Sequence, residues 1–87
     1  MRRRVVVHGL VQGVFFRDTV RRHARSRNVA GWVRNNPDGT VEAVFEGEPD
    51  AVERLVALVH EGPSGAIVER VDVVDEPDEG LSSFSIV

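Results

Sequence analysis

The chain has no cysteine. That absence excludes a disulfide framework, thiolate catalysis and a zinc site with sulfur ligands, so stability must come from packing. Lysine is absent too, and all eleven basic side chains are arginine, permanently charged and forked. Long apolar runs are missing as well. The valines behind Met1-Arg2-Arg3-Arg4 are interrupted by His8 and Gly9, which makes the start neither a signal peptide nor a membrane span. No membrane partner is expected, and a cytoplasmic protein is. There is no repeat or low-complexity segment. His8, His23 and His60 are scattered without ligand spacing, so neither a metal nor a cofactor is expected.

What remains suits one compact domain over residues 1–87. A chain of this length buries roughly 60 to 65% of its unfolded surface, enough for one modest core. Its 41% hydrophobic and 29% charged content is ordinary for a folded protein. The charge is unevenly placed. Residues 1–34 hold nine Arg against one acid, Asp18, net +8, while residues 35–87 hold two Arg against thirteen acids, net −11. Either basic and acidic elements lie side by side and pair, or the N-terminal half carries a positive field that attracts a small anion.

The short β-branched run Arg4 to His8 reads as a strand ended by Gly9. From Phe16, the apolar residues Phe16, Val20 and Ala24 recur every four positions, the buried stripe of a helix ending near Arg27-Asn28. Arg17, Arg21 and Arg25 form the neighbouring stripe. Trp32 to Asn35 is a second strand, with Trp32 and Phe45 expected in the core. Asn36-Pro37-Asp38-Gly39 is a turn, and Thr40 to Glu46 alternates as a third strand, so these two make a hairpin. Gly47-Glu48-Pro49-Asp50 opens a second helix whose Val52, Leu55, Val56 and Val59 face inward, and Gly62-Pro63 stops it. Val68 to Asp75 is a fourth strand. Pro77 to Gly80 is an acidic loop, and Phe84 to Val87 is a short final strand with Phe84 and Ile86 inward. This βαββαβ order plus a terminal strand is the α+β, ferredoxin-like split βαβ sandwich, two helices on one face of an antiparallel sheet.

The stretch with chemical character is Gly9-Leu10-Val11-Gln12-Gly13-Val14-Phe15-Phe16-Arg17. Two glycines four residues apart let the backbone turn its N–H groups towards one concavity, and the first helical turn that follows points its free N–H groups the same way. Arg17 is the odd feature there: the helix dipole opposes a cation in the first turn by roughly 0.3 to 1 kcal/mol. A bound anion would remove the conflict. In a right-handed βαβ unit the loop after strand one, the start of the helix and the end of strand two share one rim. Asn35 therefore faces the loop across about 10 Å, two strand spacings. Blander readings stand beside this one. Arg17 fits a solvated Arg17, Arg21, Arg25 stripe, Asn35 fits a turn former before Asn36-Pro37, and a glycine pair alone usually marks a turn. Asp18 fits compensation of the helix dipole.

The nine-residue stretch, followed by Gly31-Trp32-Val33-Arg34-Asn35 and Asp38-Gly39-Thr40-Val41, resembles the acylphosphatase family over nearly the whole chain. The departures are an acidic 75–80 loop and an ending, Phe-Ser-Ile-Val, without a further basic or aromatic residue. The resemblance implies metal-independent hydrolysis of carboxyl-phosphate bonds on a ferredoxin-like fold. It implies that Arg17 binds phosphate, that Asn35 positions the attacking water, and that Gly9, Leu10, Val11, Gln12, Gly13, Val14, Phe15 and Phe16 form the phosphate cradle. The partner it implies is a small acyl phosphate, and a monomer is expected. The chemistry is compatible: the carboxylate leaves readily, so positioning and charge stabilisation suffice without a nucleophilic side chain or strong base. An RNA-binding sheet is the rival of another class. Against it, strand three carries acids on its open face and offers no pair of aromatics to stack bases. An effector-binding domain of the same topology is a further rival, distinguished by binding without turnover.

Overall fold

Helix α1 (Phe16–Ser26) buries Phe16, Val20 and Ala24, and helix α2 (Pro49–Glu61) buries Val52, Leu55, Val56 and Val59. Both stripes have the spacing the sequence predicts. In the computed structural model, which describes residues 1–87, they lie with five strands: β1 (Arg2–Leu10), β2 (Ala30–Asn35), β3 (Val41–Glu46), β4 (Ile67–Glu76) and β5 (Phe84–Ile86). The strand order is β4-β1-β3-β2-β5. Val5, Val7, Val33, Ala43 and Phe45 point to the helices, and the Phe45 and Phe84 rings stack with centroids 5.9 Å apart. Each fully buried Val or Phe among them contributes roughly 1.5 to 3 kcal/mol.

Three expectations need correction. The sheet is mixed rather than wholly antiparallel, because β5 pairs parallel to β2 while the other pairs are antiparallel. Its direction follows from the path of the chain. β4 ends at the rim where β1 begins, so a segment that crosses beneath the sheet and climbs back runs alongside β2. This brings β5 to the rim where β2 ends. Second, β1 does not stop at His8 but runs to Leu10, with a bulge at His8/Gly9. Gly9 has φ +132°, and a Cβ there would lie 2.1 Å from the carbonyl oxygen of Ile67; the glycine permits close strand approach rather than ending the strand. Third, Trp32 is not in the core. Strand alternation puts it on the open face, half-buried between the guanidiniums of Arg4 and Arg34, 5.3 and 5.0 Å from its ring centroid.

That open face resolves much of the charge asymmetry. Arg2, only 4% exposed, bonds Glu76 at 3.0 Å and Glu46 at 3.2 Å. Arg4 bonds Glu76 at 2.7 Å and also Glu42, which Arg34 holds at 3.0 Å. Glu46 further accepts the backbone N–H groups of Glu79, Gly80 and Leu81 at 2.8 to 2.9 Å, so one carboxylate pins the crossing segment to the sheet. These amides, aided by Arg2 against the cost of burial, hold its carboxyl below the ordinary range. Burial pushes Glu42 up, but hydrogen bonds from Arg4, Asn36 and Arg34 outweigh it and leave that carboxyl lowered too.

Candidate active site

The end of β1, the start of α1 and the end of β2 meet at one rim. Between them the loop Val11–Phe15 alternates in hand: Gly13 has φ +75°, and Phe15 sits at φ 60°, ψ 24° as the residue before the helix. Such alternation turns successive N–H groups inward as an anion-binding nest. The carbonyl of Phe15 accepts the first helical bond, from Thr19 at 3.0 Å, while the N–H groups of Gln12 to Phe15 donate to nothing within the protein. Those of Phe16, Arg17 and Asp18 have no intrahelical acceptor.

Arg17 lies half-buried in the first turn of α1 without an ion-pair partner. Its stripe neighbours are engaged: Arg21 bonds Asp18 at 3.0 Å, and Arg25 bonds the Phe84 carbonyl at 3.1 Å. The stripe reading therefore does not describe Arg17. Nor does turn formation describe Asn35. The turn is held by Asn36, whose side chain donates to Thr40 Oγ1 and Glu42 at 3.0 and 3.1 Å, and by Asp38, which accepts from Thr40 N and Oγ1 at 3.0 and 2.6 Å. Asn35 takes no part. Its side-chain oxygen is buried and has no hydrogen-bond partner, a condition that costs about 1 to 3 kcal/mol.

Arg17 and Asn35 line the same cavity, of about 310 Å³, together with the polar Asp18, with Gly13, and with the apolar Val11, Phe15, Phe16 and Ile86. The other residues of the nine-residue stretch do not line it. Gly9 and Leu10 belong to β1, paired with Val68 and Ile67 of β4. Val14 packs on the core. Gln12 turns away to donate to the Asn36 and Thr40 carbonyls at 2.8 and 2.9 Å, latching the loop to the β2–β3 turn. Sequence reasoning missed this latch and the place of Ile86, which only the parallel pairing of β5 decides. A larger groove, of about 640 Å³, is lined by α1 and α2 residues including His23, Arg27, Asp50 and Glu53, and shares no residue with this cavity.

The family model for acylphosphatase matches residues 3–86. The chain belongs to the acylphosphatase family. It is 61% identical over 77 residues to an acylphosphatase of Rubrobacter xylanophilus, covering 88% of this chain and 70% of that protein. With an acylphosphatase of Gloeobacter violaceus it shares 52% identity over 87 residues, covering 100% of this chain and 94% of the relative. Its fold superposes on the crystal structure of acylphosphatase from Bacillus subtilis with a TM-score of 0.93 at 40% identity, covering 99% of this chain and 97% of that one. The ferredoxin-like α+β fold read from the sequence is thus the fold of the family, and the chain is an enzyme of this class.

Proposed function

We propose that this acylphosphatase cleaves its substrates at the rim cavity by direct attack of water on phosphorus. The inward N–H groups of the loop and first helical turn, with the guanidinium of Arg17, hold the non-bridging phosphoryl oxygens and stabilise the charge that develops on them. The side-chain oxygen of Asn35 accepts a hydrogen bond from the attacking water and aligns it opposite the leaving group. The water oxygen forms the new P–O bond as the bond to the acyl oxygen breaks. Its electron pair leaves with the carboxylate, and the water proton passes to the substrate, because a carboxamide is a poor base. Asp18, already engaged by Arg21, has no proton to move in this scheme.

The observation that carries the reading is the orphaned oxygen of Asn35, a residue that lines one cavity with Arg17, a cation without an ion-pair partner. In the same reading the enzyme is a cytoplasmic monomer that needs no metal. Nucleic acid is not its partner, since the open sheet face presents Glu42 and Glu46 already bound to arginines. The test is turnover of benzoyl phosphate in EDTA, beside 4-nitrophenyl phosphate. Sustained hydrolysis of the first and far slower reaction of the second are expected, because an ester leaving group needs acid help that the site lacks. Loss of turnover on chelation, or rapid hydrolysis of the monoester, would overturn the mechanism.

A further inference from the structure

The buried Asn35 oxygen is held in place without a hydrogen bond. An acceptor left so costs about 1 to 3 kcal/mol, which favours any shift of the residue towards a donor, so something besides its own side chain must keep it where it is. The restraint lies on its two neighbours in the chain. Arg34 and Asn36 donate to the same atom, Oε1 of Glu42, at 3.0 and 3.1 Å, and Arg34 Nε donates to Asn36 Oδ1 at 3.1 Å. The three side chains close a triangle that straddles Asn35. Strand alternation puts that triangle on the open face of the sheet, while Asn35 lines the rim cavity.

Charge makes the triangle more than a turn motif. Glu42 is buried; Arg4 holds its second oxygen, and Arg4 is itself fixed by Glu76 at 2.7 Å. A buried carboxylate hydrogen-bonded by guanidiniums on both sides is a strong anchor, and this one ties the end of β2 to β1 and, through Arg4, to β4. Glu46 lies at the other end of β3, where its partners are Arg2 and the amides of residues 79–81. Of these two carboxylates, Glu42 alone grips the residues beside Asn35.

We propose that Glu42 is a positioning residue for the reaction: by clamping Arg34 and Asn36 it fixes the backbone of Asn35 and, with it, the line of the attacking water. This rests on the reading of Asn35 given above. The loop amides and Arg17 take no bond from the triangle, so loss of Glu42 slows the chemical step and leaves phosphate binding alone. The experiment measures kcat for benzoyl phosphate and the inhibition constant of inorganic phosphate in Glu42→Gln and Arg34→Ala, each alone and combined with Asn35→Ala, on protein shown by circular dichroism to be folded. A carboxamide has one acceptor oxygen where the carboxylate has two, so it cannot satisfy Arg4 and the triangle together. Glu42→Gln should lower kcat about tenfold and Arg34→Ala about threefold, because small misplacements of a positioned group are costly. The phosphate constant should stay within about twofold of the parent. In the Asn35→Ala background neither substitution should lower kcat further. Arg34 is exposed, so its variant decides the matter if Glu42→Gln does not fold. Unchanged kcat in the folded variants, an equal loss in the Asn35→Ala background, or phosphate inhibition weakened in step with kcat overturns the inference and leaves the mechanism standing. An Asn35→Ala enzyme that turns over like the parent sinks the mechanism and the inference with it.

Discussion

The open face of the sheet and the rim of the cavity are both built from charged and polar groups, and they are finished in opposite ways. On the open face Arg2, Arg4 and Arg34 each reach a carboxylate, and the Glu46 oxygens take three backbone amides besides Arg2. At the rim Arg17 has no acid, the Asn35 oxygen has no donor and the loop amides have no acceptor. The first arrangement returns its interactions to folding. The second leaves them unpaired within the protein, and in the proposed mechanism they are kept for the substrate. One chain thus pairs the arginines of its open sheet face and leaves Arg17 at the rim without an acid.

The sharpest way to break this contrast is to cut the rim. Arg17→Ala and Asn35→Ala should each lower kcat/KM for benzoyl phosphate on the order of 100-fold or more, as for loss of a preorganised transition-state group. Their thermal midpoints should stay at or above that of the parent, since neither side chain has a partner to lose; a large fall in midpoint would mean that these groups serve folding after all.

Cutting the open face should do the reverse. Glu46→Gln leaves Arg2 nearly buried beside a neutral amide and weakens three backbone bonds, and urea unfolding should show a loss of about 3 kcal/mol. The folded fraction should keep its turnover. If activity falls while stability holds, the two regions are not separate.

Acid sharpens the comparison further. The Glu42 and Glu46 carboxyls are held below their ordinary value in the folded state, so the unfolded chain binds protons more readily there. Their contribution to stability is complete above the unfolded carboxylate range, roughly pH 4.3, and is lost as pH falls through the lowered folded values. Thermal midpoints measured from pH 7 to pH 3 should drop most steeply below about pH 4.5. In Glu46→Gln the drop should be shallower, and an equally steep one would remove Glu46 as a cause.

The smallest effect concerns the latch between the regions. Gln12→Leu removes both bonds to the β2–β3 turn and should cost on the order of 1 to 2 kcal/mol of stability. It should also lower activity by roughly tenfold, because the loop amides and Asn35 are no longer tied to one another. Activity unchanged on that substitution would mean that the loop keeps its shape unaided.

Both helices and every strand were legible in the sequence because they rest on local period and punctuation: four-residue apolar spacing in α1, alternation in β3, Pro49 and Gly62 at the ends of α2. The nine-residue stretch and Asn35 were legible as a motif. Less legible was the division of labour within that motif, where Gly9 serves the approach of β4, Gln12 the turn and Phe15 the cavity wall. Sequence spacing records that residues are close along the chain, whereas these roles depend on which way each side chain leaves the backbone.

The order of elements, the amphipathic faces and the family motif were determined by the sequence alone, since each needs only neighbours within a few residues. Tertiary structure alone decided that β5 runs parallel to β2 and carries Ile86 to the cavity, that Trp32 lies between two arginines on the open face, and which arginines find acids. Those outcomes join residues distant in sequence, such as Arg2 and Glu76, and a pairing across the sheet leaves no periodic trace in either partner.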